Sequence, residues 1–376
     1  MKLLIALAAG VALYFVQLLL YRRYWDRDLN ISVDFAQSVV REGDENELVE
    51  IISNDKRLPL PVLQVKFALT RSFIFPKQDN SKVTDQYYRN DYYSLMPYQK
   101  ITRRYGFTCS KRGYYMMNGM DVICKDLFLS GMMLRTYEHE ASVCVLPLRL
   151  PVQKQPVRAR ELMGEITDRI RKNEDPFEFA GIREYRTFDP MNRINWKASA
   201  SAGELRVNKF DTTFSQRVVI CLNLECHIRW HEDVFVEEEI RIAAALADHF
   251  ISVHIPVSLV SNGRDIVNDE PVRIGAGADA AHLHNIEISL ARLDERKEKT
   301  SFIGLLDKCC EDREYDNTEY ILISNYRKQD LVDAYGSLKN RGINVSWIIP
   351  EYRMVDPKLT QLGDNSIIKW TVSDAR

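Results

Sequence analysis

Leu3 to Leu20 form a run of eighteen residues without a charge, and Gln17 is its only strongly polar member. As a helix, such a run spans about 27 Å, close to the hydrocarbon thickness of a bilayer. It ends in Tyr21-Arg22-Arg23-Tyr24-Trp25-Asp26-Arg27, the mixture of aromatics and arginines that the headgroup layer prefers. A cleaved signal peptide is the competing reading, with a buried helix of a soluble protein behind it. A signal peptide wants a shorter apolar core followed by small residues. Ala6, Ala8 and Ala9 lie inside the run, and no suitable site follows Leu20. The favoured reading is an uncleaved, single-pass anchor in the cell (inner) membrane, with residues 1–28 as anchor and flank. Lys2 stands alone before the run, whereas Arg22, Arg23 and Arg27 follow it, so the positive-inside rule puts the bulk of the chain in the cytoplasm.

Composition narrows the rest. The chain has 376 residues, with 51 Lys and Arg against 53 Asp and Glu, a formal net charge of -2. A nucleic-acid partner is not expected from that balance. Seven cysteines without regular spacing argue against a disulfide scaffold, and the adjacent Cys309-Cys310 fits a reducing compartment.

From residue 29 to 151 the pattern is strand and turn. Ile31, Val33 and Phe35 alternate with polar residues, Glu47 to Ile52 and Val62 to Leu69 follow, and then Gln99–Cys109, Gly113–Met117, Met120–Cys124 and Ala141–Leu146. Short strands between turn signals predict a β-sandwich of immunoglobulin-like type. Tyrosines crowd this region, among them Tyr87, Tyr88, Tyr92, Tyr93, Tyr98 and Tyr105. They read either as cross-strand packing or as a recognition surface. Residues 152–216 form a connector with an amphipathic helix over Glu161–Lys172. Within it, Asp189-Pro190 reads as the start of a short helix that Gly203 stops. Residues 217–376 alternate apolar strands with helices, which predicts an open α/β domain.

The connector carries Arg183-Glu184-Tyr185-Arg186-Thr187-Phe188-Asp189-Pro190-Met191-Asn192-Arg193-Ile194-Asn195-Trp196-Lys197. This stretch resembles the signature of the domain-of-unknown-function 58 family: Arg-Glu-Tyr, then Gly-Asp, then Arg-x-Ile-x-Trp and a run of small residues closed by Arg. Phe188 stands where the family has Gly, Ser201 where it has Arg, and one apolar helix where many relatives have two. The resemblance implies a bacterial or archaeal membrane protein with a von Willebrand factor A-like C-terminal domain. The expected fold is thus α+β multidomain: a transmembrane helix, a β-sandwich and an open α/β domain. The resemblance also implies a MoxR-type AAA+ ATPase as partner, and in many cases a transglutaminase-like membrane protein.

Chemistry-bearing patterns are sparse. A von Willebrand factor A domain often binds Mg²⁺ through Asp-x-Ser-x-Ser after its first strand. Here that loop reads Asn223-Leu224-Glu225-Cys226-His227, so the leading carboxylate is an amide and no metal or other cofactor is expected. Cys221, Cys226, His227 and His231 are close in sequence and invite a zinc reading, but Cys221 sits inside an apolar strand, where a buried thiol is ordinary, and the two histidines fall in the loop beyond it; His282 and His284 fit no ligand spacing. Gly275-Ala276-Gly277-Ala278-Asp279 lacks the Lys-Ser or Lys-Thr of a phosphate loop and reads as a loop ending in a helix cap. Cys109 and the Cys309-Cys310 pair have no His partner legible in the sequence. The expectation is a protein without enzymatic activity, an adaptor or scaffold working with the ATPase. The alternatives are a metal-dependent ligand-binding module and a component of an envelope transglutaminase-like system.

The signature residues admit two readings. Arg183, Arg186 and Arg193 could pair with Glu184 and Asp189 in a network locking the connector to the sheet, with Trp196 as its apolar plug. Alternatively, Arg and Trp, with Tyr185, are docking anchors for a partner.

Overall fold

In the computed structural model, helix α1 (Lys2–Tyr24) takes up the whole uncharged run. Its mean hydropathy of 2.5 makes it long and apolar enough to cross a membrane. The structure describes residues 1–76, 81–83, 86–150, 155–172, 179–186, 189, 191, 194–210, 216–226, 232–311, 317–351 and 366–371. They form two compact units, Met1–Leu148 and Arg149–Arg376.

Among the described residues of the first unit, these strands follow α1: β1 (Leu29–Phe35), β2 (Val39–Arg41), β3 (Glu45–Asn54), β4 (Leu60–Leu69), β5 (Phe73–Ile74), β6 (Ser81–Val83), β7 (Tyr87–Leu95), β8 (Lys100–Cys109), β9 (Gly113–Lys125) and β10 (Met132–Leu146). They make two sheets, β1-β3-β8-β5 and β2-β10-β9-β4-β7-β6. Neighbours are antiparallel except for β10 with β2. Period-2 patterning sends alternate side chains inward. Leu48, Ile52 and Phe107 of one sheet share a core with Leu63, Val65 and Val122 of the other. Tyr21 and Trp25, at the end of α1, belong to that same core.

Two differences from the sequence reading stand out here. The expected strands Gly113–Met117 and Met120–Cys124 are one strand, β9. Gly119, between the two expected strands, lies at φ 101° where β10 carries the extra residue of a bulge: Met120 pairs with Tyr137 and Asn118 with Glu140, so Gly119 faces both Glu138 and His139. Strand β7 runs through the tyrosine-rich segment, where the sequence pattern predicts no strand.

The second unit contains α2 (Val157–Lys172), β11 (Phe179–Glu184), α3 (Trp196–Ala202), β12 (Arg206–Phe210), β13 (Gln216–Leu222), α4 (Glu232–Ser252), β14 (Val257–Asp265), β15 (Pro271–Gly277), α5 (Ala280–Ala291), β16 (Leu293–Asp294), α6 (Phe302–Glu311), β17 (Asn317–Ile323), α7 (Gln329–Asn340), β18 (Val345–Glu351) and β19 (Ile367–Thr371). The main sheet runs β15-β14-β13-β17-β18-β19, with β16 beside β14. β13, β14, β17, β18 and β19 are parallel and β15 is antiparallel at the edge.

Both faces of this sheet are covered. Val218, Ile220 and Leu222 of β13 pack with α2, α4 and α5, while Val219 and Cys221 pack with α6 and α7. Strands buried on both faces read as continuous apolar runs, which is why this region was legible in the sequence. The helix expected inside the connector starts earlier, at Val157, and gives Ala159, Leu162, Met163, Ile166 and Ile170 to the α/β core.

Candidate functional site

The signature folds as a small module of the second unit. β11 and β12 pair antiparallel, with Arg183 opposite Val207 and Glu184 opposite Arg206. Arg183 grips Asp189 with both ends of its guanidinium, at 2.5 and 2.6 Å. Asp189 also accepts the Arg186 N–H at 2.8 Å. The Arg183 hydrogen bonds, followed by that N–H, lower the Asp189 carboxyl to about 2. The pair is partly solvated, so it orients the chain more than it stabilises it.

Asp189 is therefore not the helix cap that the sequence suggested. Its carboxylate is taken, and α3 begins only after Asn195, whose Oδ1 accepts Ala198 N–H at 3.0 Å. Gly203 ends the helix in the left-handed conformation, φ 74°. Asn195 Nδ2 reaches Asn208 Oδ1 at 2.7 Å, and Ser199 Oγ accepts Arg206 N–H at 2.8 Å. These bonds clamp α3 onto β12.

Trp196, in the first turn of α3, points outward and is 67% exposed. It is not a plug, because the clamp that holds α3 consists of hydrogen bonds and leaves the indole outside. Met191, five residues earlier, is 73% exposed. Glu184 and Arg186 are exposed, and Tyr185 is half-buried with its N–H on Leu205 O at 3.0 Å. Arg193 lies outside the described residues. Asn195, Ser199 and Asn208 do the anchoring and were not singled out from the sequence; Asn before a small-residue helix is the signal that could have found them.

The second candidate is the crest of the main sheet, where β13 neighbours both β14 and β17. Open α/β sheets bind ligands at such reversals. Asn223 follows β13 and is fully buried. Its Nδ2 donates to Ser324 Oγ at 2.9 Å, and its Oδ1 accepts Glu225 N–H at 3.0 Å and Asn262 Nδ2 at 2.8 Å. Asn262 Oδ1 accepts Leu224 N–H at 2.8 Å, and Trp347 Nε1 donates to Ser324 O at 3.0 Å. Glu239 of α4 accepts Asn325 N–H at 2.6 Å, and burial pushes its carboxyl well above the usual range. The crest is thus a polar lock across three strand ends, and both polar atoms of Asn223 are engaged inside it. Glu225 Oε1 lies 3.4 Å from Asn262 Nδ2. His227 and His231 lie outside the described residues. Among the described residues, no three His, Cys, Asp or Glu side chains converge as metal ligands.

The other candidates disperse. Cys221 is buried in β13, and Cys226 accepts Asn325 Nδ2 at 2.9 Å. Burial raises the Cys109 thiol to about 11 and the Cys310 thiol to about 12, so both are protonated at neutral pH and are poor nucleophiles. His282 meets Val257 O at 2.8 Å and packs where a Gly277 side chain would sit. Asp279 caps α5 through His282 N–H. The tyrosines divide between their two readings. Tyr87 and Tyr93 are core, while Tyr88 and Tyr92 line an open concavity of about 700 Å³ with Lys66, Asn90 and Asp121.

One buried cluster was missed altogether. Glu50 of β3 points inward between Leu48 and Ile52 and is 1% exposed. Tyr93 donates a short hydrogen bond to its Oε2, and Tyr105 donates another at 3.4 Å. Across the core, Arg89 pairs with Asp91 at 2.5 Å and stacks 3.5 Å over the Tyr105 ring. Burial, ahead of the Asp91 charge, raises the Glu50 carboxyl to about 7. The sequence signal is Leu48-x-Glu50-x-Ile52, a charge on the apolar face of a strand.

No protein-family model matches the chain, and no curated protein matches it. Solved structures resemble part of it. The CARDB domain of the PF1109 protein from Pyrococcus furiosus, described in complex with di-metal ions, is 16% identical, covers 32% of this chain and 90% of its own, and has a TM-score of 0.22. A cohesin module from a Clostridium perfringens family 33 glycoside hydrolase is 15% identical over 31% of this chain and 95% of its own, also at 0.22. The collagen-binding subdomain ACE19 of an Enterococcus faecalis surface protein is 10% identical over 31% and 96%, again at 0.22. At these TM-scores the similarities carry no argument about what the chain does.

Proposed function

We propose that the chain is a membrane-anchored adaptor without enzymatic activity, which docks a MoxR-type AAA+ ATPase on the cytoplasmic side through the face of α3. The observation that carries this reading is the exposed Trp196 on a helix held from behind by hydrogen bonds. A large aromatic presented on a rigid support is the usual anchor of a protein–protein interface. Its support is preorganised: the caps at Asn195 and Gly203 fix α3 before any partner arrives. Arg186 and Glu184, exposed on the same module, supply charges for the rim. The apolar α1 and the arginines after it support an inner-membrane anchor with the bulk of the chain cytoplasmic. The open, doubly covered parallel sheet supports a von Willebrand factor A-like reading of the second unit, and the two-sheet core of the first supports an immunoglobulin-like sandwich.

The test is co-purification from detergent-solubilised native membranes, comparing wild type with Trp196→Ala. Because Trp196 is exposed, the substitution should change stability by no more than about 0.5 kcal/mol. The wild type should recover an AAA+ ATPase, identified by mass spectrometry, and the variant should lose it. Recovery with both would move docking away from α3, and recovery with neither would sink the adaptor reading.

A further inference from the structure

The first unit carries an apolar protrusion beside its helix. The turn between β9 and β10 exposes Leu127, Phe128 and Leu129 at 53, 57 and 56%, and β10 adds Met132 at 70% and Leu134 at 61%. Tips facing water favour Gly, Asn, Asp and Ser instead. Five large apolar side chains within eight residues form a patch of the kind that marks an interaction site.

Most of the turn's backbone donors are bonded within it. The fully buried Asp126 carboxylate accepts Ser130 N–H at 2.7 Å, Ser130 Oγ at 2.8 Å and Gly131 N–H at 3.0 Å. Leu129 N–H reaches Asp126 O at 3.0 Å, and Asp126 N–H reaches Gly131 O at 3.4 Å. The N–H groups of Asp126, Leu129, Ser130 and Gly131 therefore need no water, which lowers the cost of bringing the turn to an apolar boundary.

Two contacts set the depth of the tip along α1. Arg135 pairs with Asp26, just beyond the end of the helix. Tyr14 OH lies 3.0 Å from Ser130 Oγ, and its ring lies 6.0 Å from that of Phe128. Tyr14 is six residues before Leu20, about 9 Å back along the axis. The tip thus runs alongside the uncharged run, not past its end. Gln17, the polar exception in that run, donates to Asp126 at 2.7 Å.

We infer that the β9–β10 turn is a lipid-inserting tip: with α1 spanning a bilayer, Leu127, Phe128 and Leu129 enter the acyl-chain edge of the adjacent leaflet while Lys125 and Arg135 stay among the headgroups. The inference rests on the anchor proposed above. The occupant is lipid because the patch is continuous with the exposed apolar surface of α1, to which the turn is hydrogen-bonded. Apolar residues bracketed by cations are the pattern of elements that lie in the interface.

The test uses the full chain in phosphatidylethanolamine–phosphatidylglycerol vesicles, with Cys226 and Cys309 replaced by Ser. An environment-sensitive fluorophore is placed by Phe128→Cys, Leu127→Cys, Leu13→Cys or Ser38→Cys in turn. Ser38 is exposed and follows β1, whose other end adjoins α1. Nitroxide on the lipid acyl chains should quench the labels at 127 and 128 about as much as the label at 13, and leave 38 unaffected. Quenching at 13 without quenching at 127 and 128 overturns the tip and leaves the anchor standing. Quenching at none overturns both. Labels at 127 and 128 shielded from both lipid nitroxide and aqueous iodide would mean a protein covers the tip, which also overturns the inference.

Discussion

At the scale of single residues, burial decides what a charge does. Glu50 and Asp189 are both carboxylates in strand-rich surroundings, yet they move in opposite directions. Asp189 meets a bidentate Arg183 and falls to about 2. Glu50 is buried in the core and rises to about 7, although Tyr93, Arg89 and Arg103 pull against the rise. The unfolded chain holds the Glu50 carboxyl near its ordinary 4.5. Between these two values the folded chain binds the extra proton, so stability falls as pH rises. The contribution is full below pH 4.5 and lost above about 7, and its size is of order 3 kcal/mol. Glu50→Gln should flatten this part of the slope in urea unfolding between pH 4.5 and 8. Burial also raises Glu239 and Glu319 in the second unit, so the relevant quantity is the difference between variant and wild type. An unchanged slope would remove Glu50 as its source.

At the scale of elements, the legible pieces were those whose own pattern decides them. The uncharged run became α1, and the strands covered on both faces became the main sheet. Elements decided by a distant partner were misread. Asp189-Pro190 looks like a helix start until Arg183 claims the carboxylate. Gly119 looks like a break between strands, but β9 continues through it because β10 shifts register beside it. A Cβ at Gly119 would lie 2.7 Å from Tyr137 O, in a backbone conformation that L-residues rarely adopt. Gly119→Ala should therefore destabilise the first unit by roughly 1–3 kcal/mol. Thermal unfolding followed by circular dichroism would register it, and an unshifted midpoint would mean that the β10 bulge does not require glycine opposite it.

At the scale of the whole molecule, α1 does more than supply a run apolar enough to cross a membrane. Its apolar run is exposed, but Tyr21 and Trp25 at its end are 1 and 5% exposed in the core of the first unit. Tyr21 OH also bonds Pro59 O at 2.7 Å. A truncation that removes everything before Leu29 would open that core. Chains starting at Ala12 and at Leu29 should differ in the stability of the first unit by at least about 3 kcal/mol, the usual cost of losing a buried aromatic. Equal urea midpoints would show that the sandwich closes without the helix.

The sequence alone determined the apolar span, its arginine flank, the strand-rich region after it and the α/β alternation at the end. Each of these follows from properties of neighbouring residues: transfer free energy along a run, and periodicity along a strand or helix. The tertiary structure alone decided which polar groups are buried and which apolar ones are not. The sequence marks Asn223 as an amide in place of a carboxylate but is silent on the lock it makes, because its partner Ser324 is 101 residues away. The cluster around Glu50 joins residues from three strands in two sheets. Trp196 faces outward because hydrogen bonds, not its indole, hold α3 to β12. Burial and hydrogen-bond partners are set by chain segments far apart in sequence, so no local pattern records them.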